Sequence, residues 1–295
     1  MALQMGGGRT LTTDWTIREV LNWTRGYFED AGIVQPRLEA EMLLAHALDV
    51  DRLHLYLAPD KPLTPSERSK YRTVVKQRKE GIPLQHLIGE VSFFGLKFRV
   101  DRDALIPRPE TEELLDHVLQ RAPRDEEINC LDLGTGTGVL AVCMARYLPR
   151  AQVTAVDISP QALRVAEENA RINGVLDRVR LVASDWFEKI VGSTYDLIAS
   201  NPPYIEYAML TELPVEVRDH EPRVALDGGS DGLKAVRAIV SQACEHLEPS
   251  GHLLLEIAHD QGERVSRMME EAGLVNVTVE LDLARKPRFV IGRAP

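Results

Sequence analysis

The sequence predicts an α/β fold: a mostly parallel seven-stranded sheet with a terminal antiparallel hairpin, preceded by a small helical N-terminal domain. Three observations carry this. From residue 128 onward, apolar runs of strand length alternate with helix-like runs. The last two strand-like runs have no helix between them. Before residue 90 the apolar periodicity is mainly helical.

Residues 1–13 carry Gly6-Gly7-Gly8 and read as a flexible leader. Residues 14–89 form the helical domain. Ile17, Val20, Leu21, Thr24 and Phe28 make one apolar stripe. A second helix spans 37–48. A third is announced by Thr64-Pro65-Ser66-Glu67, a capping box with proline at the first helical position, and it stops near Gly81.

Residues 90–109 are a hairpin and linker. VSFFGLKFRV (91–100) reads as two short strands with Gly95 at the turn. Pro107 and Pro109 forbid helix until Glu110, after which Leu114, Leu115 and Val118 restore helical spacing. The α/β domain is 110–295. Its strands are predicted at 128–133, 152–156, 179–183, 195–199 and 252–257, with helices between them. Ser159-Pro160 opens one helix and Gly174 closes it. Residues 275–281 and 288–291 form the hairpin.

Composition bounds the function. In 295 residues, 44% hydrophobic and 27% charged side chains are ordinary for a globular chain that needs no staples. A net charge of −10 argues against a generic polyanion binder. The three cysteines, Cys130, Cys143 and Cys244, fit neither a zinc pattern nor a closed disulfide framework and read as reduced thiols. The eight histidines form no ligand cluster, so no metal is expected. The first residues lack the apolar core of a signal peptide, and no stretch has the length of a membrane span. A cytoplasmic monomer with no membrane partner is expected.

Open parallel sheets bind ligands at the carboxyl ends of their strands, and four such ends are informative. The first is Asp132-Leu133-Gly134-Thr135-Gly136-Thr137-Gly138. Its glycines allow tight turning and close approach to a ligand. The spacing is GxGxG, not the GxGxxG of nicotinamide sites. The second is Asp157, whose carboxylate suits two ribose hydroxyls; its plainer reading is a helix N-terminal acid. The third is Ser184-Asp185-Trp186. It reads equally as an adenine contact and as a loop acid beside a half-buried tryptophan. The fourth is Asn201-Pro202-Pro203-Tyr204, which taken alone is also an ordinary turn.

The fourth end has chemistry of its own. An amide or exocyclic aromatic nitrogen is a poor nucleophile, because its lone pair is delocalised. The Asn201 side-chain oxygen and the Pro202 carbonyl are two acceptors suited to its N–H groups. They favour a nitrogen that turns pyramidal as it attacks. Tyr204 offers a flat face to the planar group. These residues leave open whether the nitrogen belongs to a base or to an amide.

DLGTGTG, AVDIS, SDWF and NPPY together resemble the amino-methyltransferase branch of the Rossmann-like class I methyltransferases. PLQHLIGEVSFFGLKFRVDRDALIPRPETEELLD (83–116) and EPRVALDGGSDGL (221–233) are similar to the bacterial release-factor glutamine methyltransferases, the HemK/PrmC family. The resemblance spans nearly the whole chain. It implies that S-adenosyl-L-methionine is consumed, with S-adenosyl-L-homocysteine as product and no metal. It also implies a peptide chain release factor as protein substrate, methylated on the glutamine side-chain nitrogen of its Gly-Gly-Gln loop, and no direct nucleic-acid partner. Gly134, Thr135, Gly136, Thr137 and Gly138 would line the cofactor, Asp157 would hold its ribose and Trp186 would lie by the adenine. Asn201 would bridge cofactor and glutamine as the catalytic residue with Pro202, while Pro203 and Tyr204 complete the substrate slot. The helical domain would recognise substrate. Arg108 and Pro109 border the entrance on this view, Glu110, Glu112 and Glu113 are first-turn helix acids, and Asp227-Gly228-Gly229 folds over the site. Glu256 ends a strand with no assigned role.

The rival is a nucleic-acid adenine or cytosine amino-methyltransferase acting on a flipped base. That reading needs a basic groove and a target-reading domain, and the acidic charge speaks against it. A nicotinamide oxidoreductase is disfavoured by the glycine spacing.

Overall fold

The computed structural model describes residues 15–123 and 125–295. The expected leader lies outside the described residues. The chain divides into two compact units, one ending at Ile88 and the other running Gly89–Pro295.

The first unit is helical: α1 (Ile17–Asp30), α2 (Pro36–Leu48), α3 (Arg52–Leu57), α4 (Pro65–Lys79) and α5 (Leu84–Ile88). Capping boxes start both α1, at Thr16 and Glu19, and α4, at Thr64 and Glu67. Each satisfies two otherwise orphaned donors. Ile17, Val20, Thr24 and Phe28 are buried as the stripe requires, and Leu21 is half-buried. The short α3 and α5 were not expected. At six and five residues they are too short to show a period.

The second unit opens with the hairpin of β1 (Glu90–Phe93) and β2 (Leu96–Arg99). Helix α6 (Pro109–Arg121) begins at Pro109 itself, one residue earlier than expected. Proline fits the first helical position because no intrahelical donor is needed there. Then follow β3 (Ile128–Leu133), α7 (Val139–Tyr147), β4 (Ala151–Asp157), α8 (Pro160–Ile172), β5 (Val179–Ala183), β6 (Tyr195–Ser200), α9 (Val215–His220), α10 (Lys234–His246), β7 (Leu247–Glu256), α11 (Gly262–Glu271), β8 (Val275–Leu281) and β9 (Pro287–Arg293). The sheet order is β5-β4-β3-β6-β7-β9-β8. Strands β5 to β7 pair in parallel, whereas β9 runs antiparallel to both β7 and β8. The expected seven strands and terminal hairpin are therefore present.

Alternation along β3 separates two cores. Cys130 joins the layer under α6 and α7, while Leu131 and Leu133 join that of α10 and α11. Phe93 and Phe98 of the hairpin pack into the first layer. Asn169 on α8 accepts the Arg99 amide at 2.7 Å and donates to the carbonyls of Arg99 and Thr137, fastening hairpin and glycine loop to one helix.

The expectation of a helix in every connection fails between β5 and β6. Residues 185–193 there are a chain of turns. Trp186 sits at φ +46°, which a helix does not tolerate, and Ser184 Oγ instead accepts the Lys189 amide. Phe187 and Ile190 from this stretch still fill the second core. Among the described residues no helix is long and apolar enough to cross a membrane. Cys130 and Cys143 are buried and Cys244 is half-buried, all as free thiols.

Candidate active site

The carboxyl ends of β3, β4 and β6 meet at a cavity of about 330 Å³, within the ordinary range for small-molecule sites, roughly 300–1,000 Å³. Gly134, Gly136, Asp157, Trp186, Asn201 and Pro203 line it. Residues distant in sequence are thus brought to one place by the parallel order of three strands.

The glycine loop is held by its own backbone. The amides of Gly134 and Thr135 both donate to the Val156 carbonyl, at 2.8 and 2.9 Å. Asp157, next along β4, accepts the Gly136 amide at 2.8 Å on one oxygen and the Ser159 amide at 2.9 Å on the other. Those bonds fix the carboxylate plane while leaving lone pairs for a ligand's hydroxyls. Burial raises the Asp157 pKa, and the two amides oppose that shift. The Trp186 ring lies 3.6 Å from where a Gly134 side chain would begin.

The other loop residues serve the scaffold. Thr135 donates its hydroxyl to Asp132 at 2.6 Å, and Thr137 is buried with its carbonyl on Asn169. Gly138 lies where α7 meets α8: a Cβ there would stand 2.9 Å from that of Ala166. Burial pushes Asp132 up to about 7, despite hydrogen bonds from Thr135 and the Ala141 amide.

Ser200 ends β6 and donates to the Leu133 carbonyl at 2.6 Å, locking β6 to β3. Asn201 follows at once. Its Nδ2 donates to the Thr111 hydroxyl of α6 at 2.9 Å. Among the described residues, no hydrogen bond ends on Asn201 Oδ1 or on the Pro202 carbonyl. Pro202 is buried, and Tyr204 is mostly buried. The predicted Asp227-Gly228-Gly229 loop clamps this turn. Gly228 donates to the Ile205 carbonyl and Tyr207 to that of Gly229, both at 2.8 Å. Gln261 Nε2 also reaches the Tyr204 carbonyl at 3.2 Å.

Residues 19–89 match the family model described as PrmC N-terminal domain, and residues 110–214 that described as methyltransferase small domain. A release factor glutamine methyltransferase of Geobacter sulfurreducens is 45% identical over 95% of this chain and 97% of its own. The chain belongs to the release factor glutamine methyltransferase family. Relatives of the same description include one from Koribacter versatilis, 38% identical over 95% of this chain and 99% of its own. Another, from Moorella thermoacetica, is 42% identical over 88% and 91%. Two solved structures share the fold. One is a methyltransferase of Pyrococcus furiosus, with a TM-score of 0.51 and 19% identity over 68% of this chain and 90% of that one. The other is a 16S rRNA methyltransferase of T. thermophilus, with a TM-score of 0.51 and 18% identity over 70% and 50%.

Several residues at this cavity are not signalled by the sequence. Asp103, Ala104 and Leu105 line the cavity from the stretch before α6, and Pro222, Val224 and Ala225 from the stretch after α9. Arg108 and the buried Glu221 join those two stretches at 2.6 Å. Both lie in segments quoted for the family resemblance, which was the only signal available. Glu112 and Glu113 are spent on the scaffold, accepting the amides of Phe94 and Leu283. Glu256, to which the sequence assigns no role, accepts the Thr111 hydroxyl at 2.8 Å. Among the described residues no cluster of His, Cys, Asp and Glu could hold a metal.

Proposed function

We propose that this protein methylates the side-chain amide nitrogen of the glutamine in the Gly-Gly-Gln motif of class-one peptide chain release factors, using S-adenosyl-L-methionine. The observation that carries the reading is the Asn201 carboxamide. Its NH2 end is held by Thr111 beside the cavity, so Oδ1 and the neighbouring Pro202 carbonyl remain as acceptors.

The cavity suits the cofactor. Gly136 lines it, and no atom of the described residues lies within 4 Å of where a Cβ would stand. Its lining includes the acids Asp103, Asp157, Asp185 and Asp227 and one lysine, Lys234; Asp103 and Asp227 are paired with Arg164 and Arg223. Asp157 would accept the ribose hydroxyls, Trp186 would lie against the adenine, and Gly134 and Gly136 would let the backbone approach closely. When bound, S-adenosyl-L-methionine supplies a methyl group on a positively charged sulfur that leaves as a neutral thioether.

The chain's own residues prepare the nucleophile. Asn201 Oδ1 and the Pro202 carbonyl would accept the two N–H groups of the glutamine amide. Fixed acceptors favour the pyramidal nitrogen over the flat one, so their effect is greatest in the transition state. Pro203 and Tyr204 would confine the amide plane to a single attack direction. A translation factor as substrate puts the reaction in the cytoplasm.

The test is methyl transfer from labelled cofactor to an intact release factor and to one whose loop glutamine is replaced. Label is expected only on the first. Equal labelling of both would sink the assignment.

A further inference from the structure

Glu256, Thr111 and Asn201 form a chain of hydrogen bonds with a direction. Asn201 Nδ2 donates to Thr111 Oγ1 at 2.9 Å, and Thr111 Oγ1 donates to Glu256 Oε2 at 2.8 Å. The three residues come from different places in the fold: the turn after β6, the first turn of α6 and the end of β7. Thr111 and Glu256 are 3% and 1% exposed. We propose that Glu256, acting through Thr111, is a positioning residue that decides which end of the Asn201 carboxamide faces the substrate. The inference rests on the reading of Asn201 as the acceptor of the glutamine N–H.

A carboxamide has two ends of nearly equal shape and opposite hydrogen-bonding sense. Packing alone distinguishes them poorly. A hydroxyl has a single proton. When Glu256 is ionised it can only accept, so Thr111 must give that proton to it. Thr111 then offers Asn201 a lone pair and nothing else. Only the NH2 end of Asn201 can meet it, and Oδ1 is turned away from Thr111. The flipped amide would bring two acceptors together at Thr111 and leave the NH2 end to meet the N–H groups of the glutamine. One buried carboxylate thus sets the polarity of an atom two hydrogen bonds away.

The surroundings of Glu256 tune this device. Thr111 and Glu110 face it from α6, Arg288 from β9 and Tyr204 from the turn after β6. Its second oxygen, Oε1, is buried and has no hydrogen-bond partner among the described residues. Burial pushes Glu256 up to about 7, against the opposing pull of Thr111, Arg288 and Tyr204. Protonation lets Glu256 donate to Thr111, whose own proton then becomes free to meet Asn201 Oδ1. The orienting constraint is present above the pKa and lost as pH falls through it.

The experiment uses the full-length protein, saturating cofactor and an intact release factor, with cofactor Kd and release-factor KM measured for every variant. Thr111→Val keeps the shape and removes the hydroxyl; kcat is expected to fall about 10- to 100-fold, in the range typical of groups that orient a reacting residue. Cofactor Kd is expected to stay within about twofold of wild type, because Thr111 is not among the residues lining the cavity. Thr111→Ser restores the hydroxyl and is expected to recover kcat. Glu256→Gln retains an acceptor oxygen and cannot ionise, so its kcat relative to wild type should rise as pH falls from about 8 to about 6. The ratio cancels titrations common to both proteins, including that of Asp132. A Thr111→Val enzyme with wild-type kcat, a Thr111→Ser enzyme as impaired as Thr111→Val, or a flat Glu256→Gln ratio overturns the inference. Failure of the underlying reading is distinct: it shows as full turnover in Asn201→Ala, whatever Thr111 does.

Discussion

The Asp157 carboxylate accepts the backbone amide of Gly136 at 2.8 Å, joining the end of β4 to the turn after β3. Its other oxygen takes the Ser159 amide. Both oxygens are therefore oriented before any ligand arrives. Asp157→Ala is expected to weaken S-adenosylmethionine binding about 10- to 100-fold, the loss of roughly 1.5–3 kcal/mol of charge-assisted hydrogen bonding. Asp157→Asn should fare no better, since its NH2 group would oppose one of those two amide donors. Calorimetric titration checks both, and an unchanged Kd in either variant removes Asp157 from the site.

Asn201→Ala separates chemistry from binding. Turnover at saturating substrates should fall roughly 10²- to 10³-fold, as for removal of one preorganised transition-state group. Cofactor Kd should change far less, because Asp157 and the glycine loop are untouched. Single-turnover kinetics make the distinction. An undiminished chemical step would mean that other acceptors prepare the nitrogen.

Two neighbouring glycines should respond differently to alanine. At Gly138 a methyl would lie 2.9 Å from the Ala166 Cβ in a backbone at φ +82°. The overpacking and the strained backbone together are expected to cost about 2–4 kcal/mol. At Gly136 the added methyl meets no atom of the described residues within 4 Å. Only the left-handed backbone is strained there, costing about 1–2 kcal/mol. Its methyl would stand by the cavity, so the deficit should show as lost cofactor affinity. Urea denaturation of the cofactor-free proteins and calorimetric Kd values test the contrast.

Glu256 also predicts a pH signature in stability. Burial raises it to about 7 in the folded protein, well above the ordinary carboxylate value near 4.3. The folded state therefore binds the extra proton between those values. Its contribution is fully present below the unfolded pKa and is lost as pH rises through about 7. Glu256→Gln removes this dependence. Its stability relative to wild type should improve from pH 5 to pH 7, by at most about 1.4 kcal/mol per pH unit. Urea melts at three pH values measure the slope, and a slope of the opposite sign contradicts burial as the cause.

Much of the fold was legible because its signals are local. Thr64-Pro65-Ser66-Glu67 names a helix start on its own, and the missing helix between 275–281 and 288–291 names a hairpin. The connection after β5 reads as a helix in the sequence because Phe187 and Ile190 make it half-apolar, while Trp186 at φ +46° forbids one. The glycine loop, Asp157, Trp186 and Asn201 were legible as strand ends. Thr111 and Glu256 were not. Their partners lie 90 and 145 residues away, and no spacing rule reaches that far. Asn169 was missed for the same reason, since its link to Arg99 crosses 70 residues.

Strand β9 follows β8 in the chain yet lies between β7 and β8 in the sheet. During synthesis, the edge of β7 therefore stays open after β8 has been made. Phe289, which pairs with Glu256, is added only with β9. A nascent chain that ends after β8 can assemble β5-β4-β3-β6-β7 but leaves an uncovered, apolar strand edge, the kind that recruits other chains. Closure of the sheet therefore waits on β9, and until then the β7 edge is open to other chains.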